Sequence, residues 1–112
     1  MSEVNEKFKW AAVVVSCIED LRESQDIEIS FVDFEVVPPL DGSPNGIFLW
    51  FICEKASDAK KFKLEALRAA TSKVRSRMIK CGFSPESAES LCSDVTSSQD
   101  IEAGGGRFSF FR

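Results

Sequence analysis

The chain has 112 residues, of which 44% are hydrophobic and 29% charged, and a formal net charge of −4. This length is typical of a single domain with one core, and this composition excludes a mostly disordered chain. We therefore expect residues 1–112 to form one domain. Histidine and tyrosine are both absent, which excludes Ser-His and Cys-His catalytic systems and most catalytic zinc sites.

The first predicted element is an amphipathic helix over residues 3–23. Apolar residues recur there at steps of three or four and form two adjacent stripes, which indicates a broad buried face. The run 10–15 could instead form a strand, because valine is β-branched. The helix is favoured because the pattern lasts longer than a typical strand.

Residues 26–37 are predicted to form a strand. Polar and apolar residues alternate from Asp26 to Phe31, and the alternation resumes one residue out of phase after Val32. One extra residue in a period of two predicts a β-bulge near Phe31 or Val32. With this bulge, the acidic side chains of the strand all face solvent.

Residues 38–46 are rich in proline, glycine, serine and aspartate, which predicts a protruding loop. The continuous apolar run 47–53 predicts a strand covered on both faces or lying centrally in its sheet. We expect an antiparallel pair between 26–37 and 47–55.

The longest predicted helix covers residues 58–80, with Ser57 as its N-cap and Gly82 and Phe83 closing its C-terminus. Its predicted core stripe consists of Phe62, Ala66, Ala70, Val74, Met78 and Cys81. A short helix is predicted from Ser84 to about Cys92. Residues 93–103 are predicted to be irregular, the three glycines 104–106 to form a flexible loop, and residues 107–112 to form a third strand.

These elements together predict an α+β domain. A three-stranded, mainly antiparallel sheet packs against two long helices, in the order α-β-β-α-α-β. The four cysteines lack the close spacing of a zinc knuckle or a redox Cys-x-x-Cys motif. We therefore expect reduced, buried thiols, no metal and no cofactor.

The charges are sorted by segment. Residues 19–41, called the acidic segment below, hold eight acids and only one base, Arg22. Residues 55–80 hold nine bases and two acids. Such local fields can steer charged partners even when the total charge is small.

Each segment supplies a candidate binding surface. The predicted partner-binding residues of the acidic segment are Glu19, Glu23, Asp26, Glu28, Asp33, Glu35 and Asp41. The alternative is phosphate binding by Lys61, Arg68 and Arg75, which repeat every seven residues along the basic helix. Either set could instead be a solvated surface without a partner.

The sequence favours a non-enzymatic, protein-binding domain. The leading hypothesis is a bacterial, cytoplasmic immunity protein, an acidic inhibitor that occludes the active site of a basic nuclease-type toxin. One alternative is an RNA- or ribosome-associated module that uses the basic helix. The other is a small acidic secretion chaperone, which predicts a homodimer. No membrane segment is expected, because the longest apolar runs are far too short to span a bilayer.

Overall fold

The computed structural model describes residues 9–24, 31–41 and 43–106 of the chain. These residues form a mixture of helices and strands, so the predicted α+β class is confirmed. The elements, in chain order, are α1 (Lys9–Ser24), β1 (Asp33–Val37), β2 (Phe48–Cys53), α2 (Ala56–Glu65), α3 (Leu67–Lys80), α4 (Pro85–Ser90), β3 (Cys92–Ser97) and α5 (Ser98–Ala103).

Strand β2 is the centre of a three-stranded sheet of order β1-β2-β3. β1 pairs with it antiparallel, in a register that sets Phe34 opposite Phe51. β3 pairs with it parallel, which is possible because the helices α2 to α4 carry the chain back to the start of the sheet. The predicted antiparallel pair is confirmed for residues 33–37 and 48–53, while the sheet as a whole is mixed. Residues 26–30 of the predicted first strand lie outside the described residues.

The prediction that residues 93–103 are irregular is wrong, since they contain part of β3 and all of α5. The serines suggested a loop because serine has little preference for strands. In the structure their hydroxyls have partners: the Oγ of Ser93 lies 2.6 Å from Thr71 Oγ1, and the Oγ of Ser97 accepts a hydrogen bond from the amide of Asp100. The strand predicted at 107–112 lies outside the described residues.

The predicted helix 58–80 is present but divided. It begins at Ala56, and Ala66 leaves helical geometry with φ −127° and ψ −22°. The amide of Ala66 still donates to Phe62 O (2.8 Å) and the amide of Ala70 to Ala66 O (2.9 Å), so one core stripe continues through the break. Of the predicted stripe residues, Phe62, Ala66, Ala70, Val74 and Met78 are buried.

The C-terminal end of α3 and the start of α4 follow local sequence signals. Gly82 has a φ of +104°, and the amide of Phe83 donates to the carbonyl of Met78, which is the Schellman ending expected of such a pair. Ser84 caps α4 by accepting a hydrogen bond from the amide of Ser87. The predicted cap Ser57 is wrong. Helix α2 begins at Ala56, two residues before the predicted start, and Gln99 Oε1 accepts a hydrogen bond from the Ala56 amide.

The core lies between the sheet and the long helices. Helix α1 packs against α3 and contributes Val14, Ile18 and Leu21, all fully buried. The predicted helix 3–23 is thus confirmed from Lys9 onward, including the run 10–15. Its first residues lie outside the described part of the chain.

Three phenylalanines join the elements at the centre. The ring centroids of Phe31 and Phe51 are 4.9 Å apart, and those of Phe51 and Phe62 are 5.2 Å apart. The rings of Phe31 and Phe62 are 6.1 Å apart and perpendicular. Through this aromatic cluster, Phe31, which lies in the acidic segment just before β1, packs against β2 and α2.

Candidate functional site

The acidic segment includes the end of α1, the whole of β1 and the start of the following loop. Most of its carboxylates lie within the described residues. Glu19 and Glu23 are exposed and one helical turn apart on α1. Asp41 is exposed in the loop after β1, where its Oδ1 accepts a hydrogen bond from the Ser43 amide at 2.9 Å. The candidates Asp26 and Glu28 lie outside the described residues.

The acids of β1 lie on the sheet face away from the core. Phe34 and Val36 pack against the core, so the alternating Asp33 and Glu35 face the other side. Both are half-buried, and the expectation that they stand fully in solvent is therefore too simple. The register sets Asp33 opposite Ile52 and Glu35 opposite Trp50, so each acid has an apolar residue as its cross-strand neighbour.

The shift in alternation lies where the sequence predicts it. Phe31 and Phe34 both contact the core although two residues separate them, and the first of these, Val32, is exposed. The amide of Val32 donates to Ile52 O at 2.8 Å, while Asp33 pairs with that same residue. Two residues thus oppose one at the first pair of the β1–β2 ladder, as in a β-bulge. Residues 26–30, which would form the other side of the predicted bulge, lie outside the described residues.

The two described parts of the acidic segment meet at one contact. Arg22, on the last turn of α1, donates from Nη1 to the carbonyl of Val32, at a distance of 3.2 Å. This hydrogen bond holds the end of α1 beside the start of β1. The end of α1 that bears Glu19 and Glu23 therefore lies near the start of the acidic strand.

The basic candidates do not form one straight stripe. Lys61 is exposed on α2 and Arg68 is exposed on α3, with the break at Ala66 between them. Arg75 is half-buried, and its Nη2 donates to Leu91 O at 2.6 Å. Arg75 therefore holds the chain between α4 and β3 in place. This structural role explains the residue without a bound phosphate.

A shallow groove of about 360 Å³ adjoins these bases. It is lined by Lys63, Leu67, Arg68, Thr71, Arg75 and Ser93. The ammonium of Lys63 lies 3.4 Å from Asp94 Oδ1, and the two hydroxyls hydrogen-bond to each other. The groove is cationic, but several of its polar side chains already bind other groups of the protein.

A second groove, of about 590 Å³, lies between α1 and the end of α3. We call it the thiol groove. Its lining includes Cys17, Asp20, Glu23, Arg77, Lys80 and Cys81. Sequence reasoning does not find this groove, because its two halves are far apart in the chain and the apolar pattern places each cysteine on a buried stripe. The available signal was that one cysteine lies on the apolar stripe of each helix, so packing of the two stripes against each other would bring the cysteines together.

The cysteines depart from the expectation of buried thiols. Cys17 and Cys53 are buried, whereas Cys81 and Cys92 are exposed, and all four are free thiols. Burial raises the pKa of the Cys53 thiol to about 11, and the nearby Asp58 carboxylate adds to the rise. Burial likewise raises the pKa of Cys17 to about 11, with Cys81 adding to it.

The described residues contain no cluster of three or more side chains suited to hold a metal ion. Among these same residues, no helix has the length and apolar character needed to cross a bilayer. No protein-family model matches the chain, and no curated protein or solved structure matches it. The site must therefore be interpreted from its own chemistry.

Proposed function

We propose that this protein is a non-catalytic binding domain whose acidic segment engages a basic protein. In its most concrete form, the partner is a nuclease-type toxin. The acids occupy the cationic site that would otherwise hold nucleic-acid phosphates, and the protein acts as an immunity protein in the bacterial cytoplasm. Inhibition of this kind needs a matched surface and no chemistry from the inhibitor.

The observation that carries this proposal is the junction between Arg22 and Val32. It holds the end of α1, which bears the exposed carboxylates Glu19 and Glu23, near the start of the strand that bears Asp33 and Glu35. A surface that carries several negatively charged carboxylates attracts a cationic protein over a Debye length of roughly 8 Å at physiological salt. Such complementarity mainly raises the association rate and selects the partner.

Charge reversal tests the proposal. The probes are purified, basic nuclease domains of bacterial toxins, whose binding and residual nuclease activity are measured against this protein. In the double variant Glu19→Lys, Glu23→Lys we expect the affinity for a cognate domain to fall at least about tenfold at low salt, mainly through a slower association rate. Wild-type binding should also weaken as salt rises.

The matched control reverses two acids elsewhere. Glu86 and Glu89 are exposed on α4, outside the acidic segment, so Glu86→Lys with Glu89→Lys changes the net charge equally. We expect this control to bind as the wild type does. Equal losses in both double variants would show a general charge effect, and absence of binding to every basic nuclease domain would refute the toxin as partner.

The two alternatives predict other results. An RNA-binding module would retain RNA in a mobility assay at low salt and lose it in Arg68→Glu. The structure gives this alternative less support, because Arg75 is engaged with Leu91. A secretion chaperone would be a stable dimer by light scattering and would hold an unfolded client protein.

A further inference from the structure

Two cysteines face each other across the thiol groove. The Sγ atoms of Cys17 and Cys81 are 3.9 Å apart, although 64 positions separate the residues in the chain. Cys17 belongs to the core, with 2% of its surface exposed, whereas Cys81 is exposed in the turn after α3. One thiol is therefore accessible to a small reagent, and the second lies behind it.

We infer that Cys17 and Cys81 form a modification site at which a hydroperoxide converts the two thiols into a disulfide. A disulfide bond is about 2.05 Å long, so the sulfur atoms need to approach by roughly 1.9 Å. Cys81 provides most of this movement, because it is exposed and follows the last residue of α3. The product would tie α1 covalently to the end of α3.

The reaction balances with hydrogen peroxide as the oxidant. The Cys81 thiolate attacks one peroxide oxygen, the O–O bond breaks, and the leaving hydroxide takes up a proton to become water. This first step leaves a sulfenic acid on Cys81. The sulfur of Cys17 then attacks the sulfur of Cys81, the S–O bond breaks, and the Cys17 proton leaves with the hydroxide as a second water. The two sulfurs supply the two electrons that reduce the peroxide.

The surroundings assign different roles to the two thiols. Burial raises the pKa of Cys17, so this thiol stays protonated and does not react with the oxidant first. The guanidinium of Arg77 opposes part of that rise, since its positive charge favours a thiolate. Cys17 therefore suits the resolving step, in which it loses its proton as it attacks an already oxidised neighbour.

The chain provides an internal control for accessibility. Cys92 is exposed like Cys81, but its thiol is directed toward the carbonyl of Ser90, at 3.8 Å. Cys53 is buried and represents an inaccessible thiol. If exposure alone determined oxidation, Cys92 would react with the oxidant as Cys81 does and, without a resolving thiol, would go on to a sulfinic acid or cross-link two chains.

The experiment uses the full chain carrying Cys92→Ser, which removes the competing exposed thiol without touching the core. The protein is treated with dilute hydrogen peroxide, its remaining thiols are alkylated under denaturing conditions, and the digest is analysed by mass spectrometry without reduction. We expect a monomer lighter by two hydrogen atoms, one peptide pair linking Cys17 to Cys81, and full reversal by dithiothreitol. Cys53 should remain alkylatable.

A second variant separates the pair from the accessible thiol alone. In Cys17→Ala the same treatment should carry Cys81 on to the sulfinic acid, because no resolving thiol is present. The inference is overturned if the Cys92→Ser protein accumulates sulfinic acid on Cys81 while Cys17 stays a free thiol. It is equally overturned if the main product is a dimer linked through Cys81.

Discussion

Removal of the Phe62 ring should destabilise the protein strongly. The ring is fully buried and contacts both Phe51 and Phe31, so it connects α2, β2 and the residues before β1. Truncation of a buried phenylalanine to alanine costs about 3–5 kcal/mol, through lost apolar burial and the cavity left behind. Because a domain has only roughly 5–15 kcal/mol of stability, this single change removes a large part of it.

The smaller substitution Phe62→Leu gives a graded result. Leucine keeps most of the apolar volume but loses the two ring contacts, each of which contributes roughly 0.5–1.5 kcal/mol. We expect a loss of about 2 kcal/mol for leucine and about 4 kcal/mol for alanine. With a slope of roughly 1.5 kcal/mol per molar urea, alanine should lower the unfolding midpoint by about 2–3 M.

Equilibrium unfolding in urea, followed by circular dichroism and by tryptophan fluorescence, measures both variants. The control is Leu64→Ala on the same helix, since Leu64 is 78% exposed and its truncation should change stability by no more than about 0.5 kcal/mol. If Phe62→Ala lost no more than Leu64→Ala does, the aromatic cluster would not be the centre of the core.

Two further predictions concern ionisation and an internal contact. The folded state raises the pKa of the Cys53 thiol from 9.0 to about 11, so between these values the native state keeps a proton that the unfolded state has lost. The free energy of unfolding should therefore fall as pH rises from about 9 to about 11, less steeply in Cys53→Ala, as urea titrations at several pH values would show. The second change, Arg75→Ala, leaves the carbonyl of Leu91 without its 2.6 Å hydrogen bond and should cost about 1–3 kcal/mol in the same assay.

Each of these two changes has a matched control. Cys92→Ala removes an exposed thiol and controls for the loss of a cysteine as such in the same titrations. Arg68→Ala removes an exposed guanidinium from α3 and should change stability by no more than about 0.5 kcal/mol. A pH profile of Cys53→Ala that matches the wild type, or equal losses for the two arginines, would contradict the reasoning.

The sequence predicted the helices and the antiparallel pair because their patterns are local. The stripe from Phe62 to Met78 follows the helical period, and the pair Gly82–Phe83 ends α3 as its chemistry predicts. The shift in alternation at Val32 was also visible, because a strand with one buried face fixes which side chains turn inward.

The third strand was missed because its hydroxyls depend on residues far away in the chain. The hydroxyl of Ser93 has its partner in Thr71, 22 positions away, which the sequence cannot place beside it. One local signal was present and overlooked: Ser97 followed three residues later by Asp100, the pattern of a helix N-cap. It marks the start of α5 and therefore the end of a preceding element.

The sites were harder to predict than the fold. Charge counts identified the acidic segment, yet they gave no indication that Asp33 and Glu35 would be half-buried beside Trp50 and Ile52. The pair Cys17 and Cys81 was unpredictable from spacing, because their distance depends on how α1 packs against α3. The charge of a segment can be counted from its sequence, whereas the distance between two residues far apart in the chain depends on how the helices and strands pack.

The parallel pairing of β2 with β3 has a consequence for how the chain acquires its shape. The central strand carries the run Phe48–Cys53, and one of its edges remains unpaired until residues 54–91 have folded into helices and brought β3 back. Contacts between distant parts of a chain slow folding, and an open apolar edge is prone to aggregate in the meantime. Nascent chains that end before β3 should therefore be the species that most need a chaperone during synthesis.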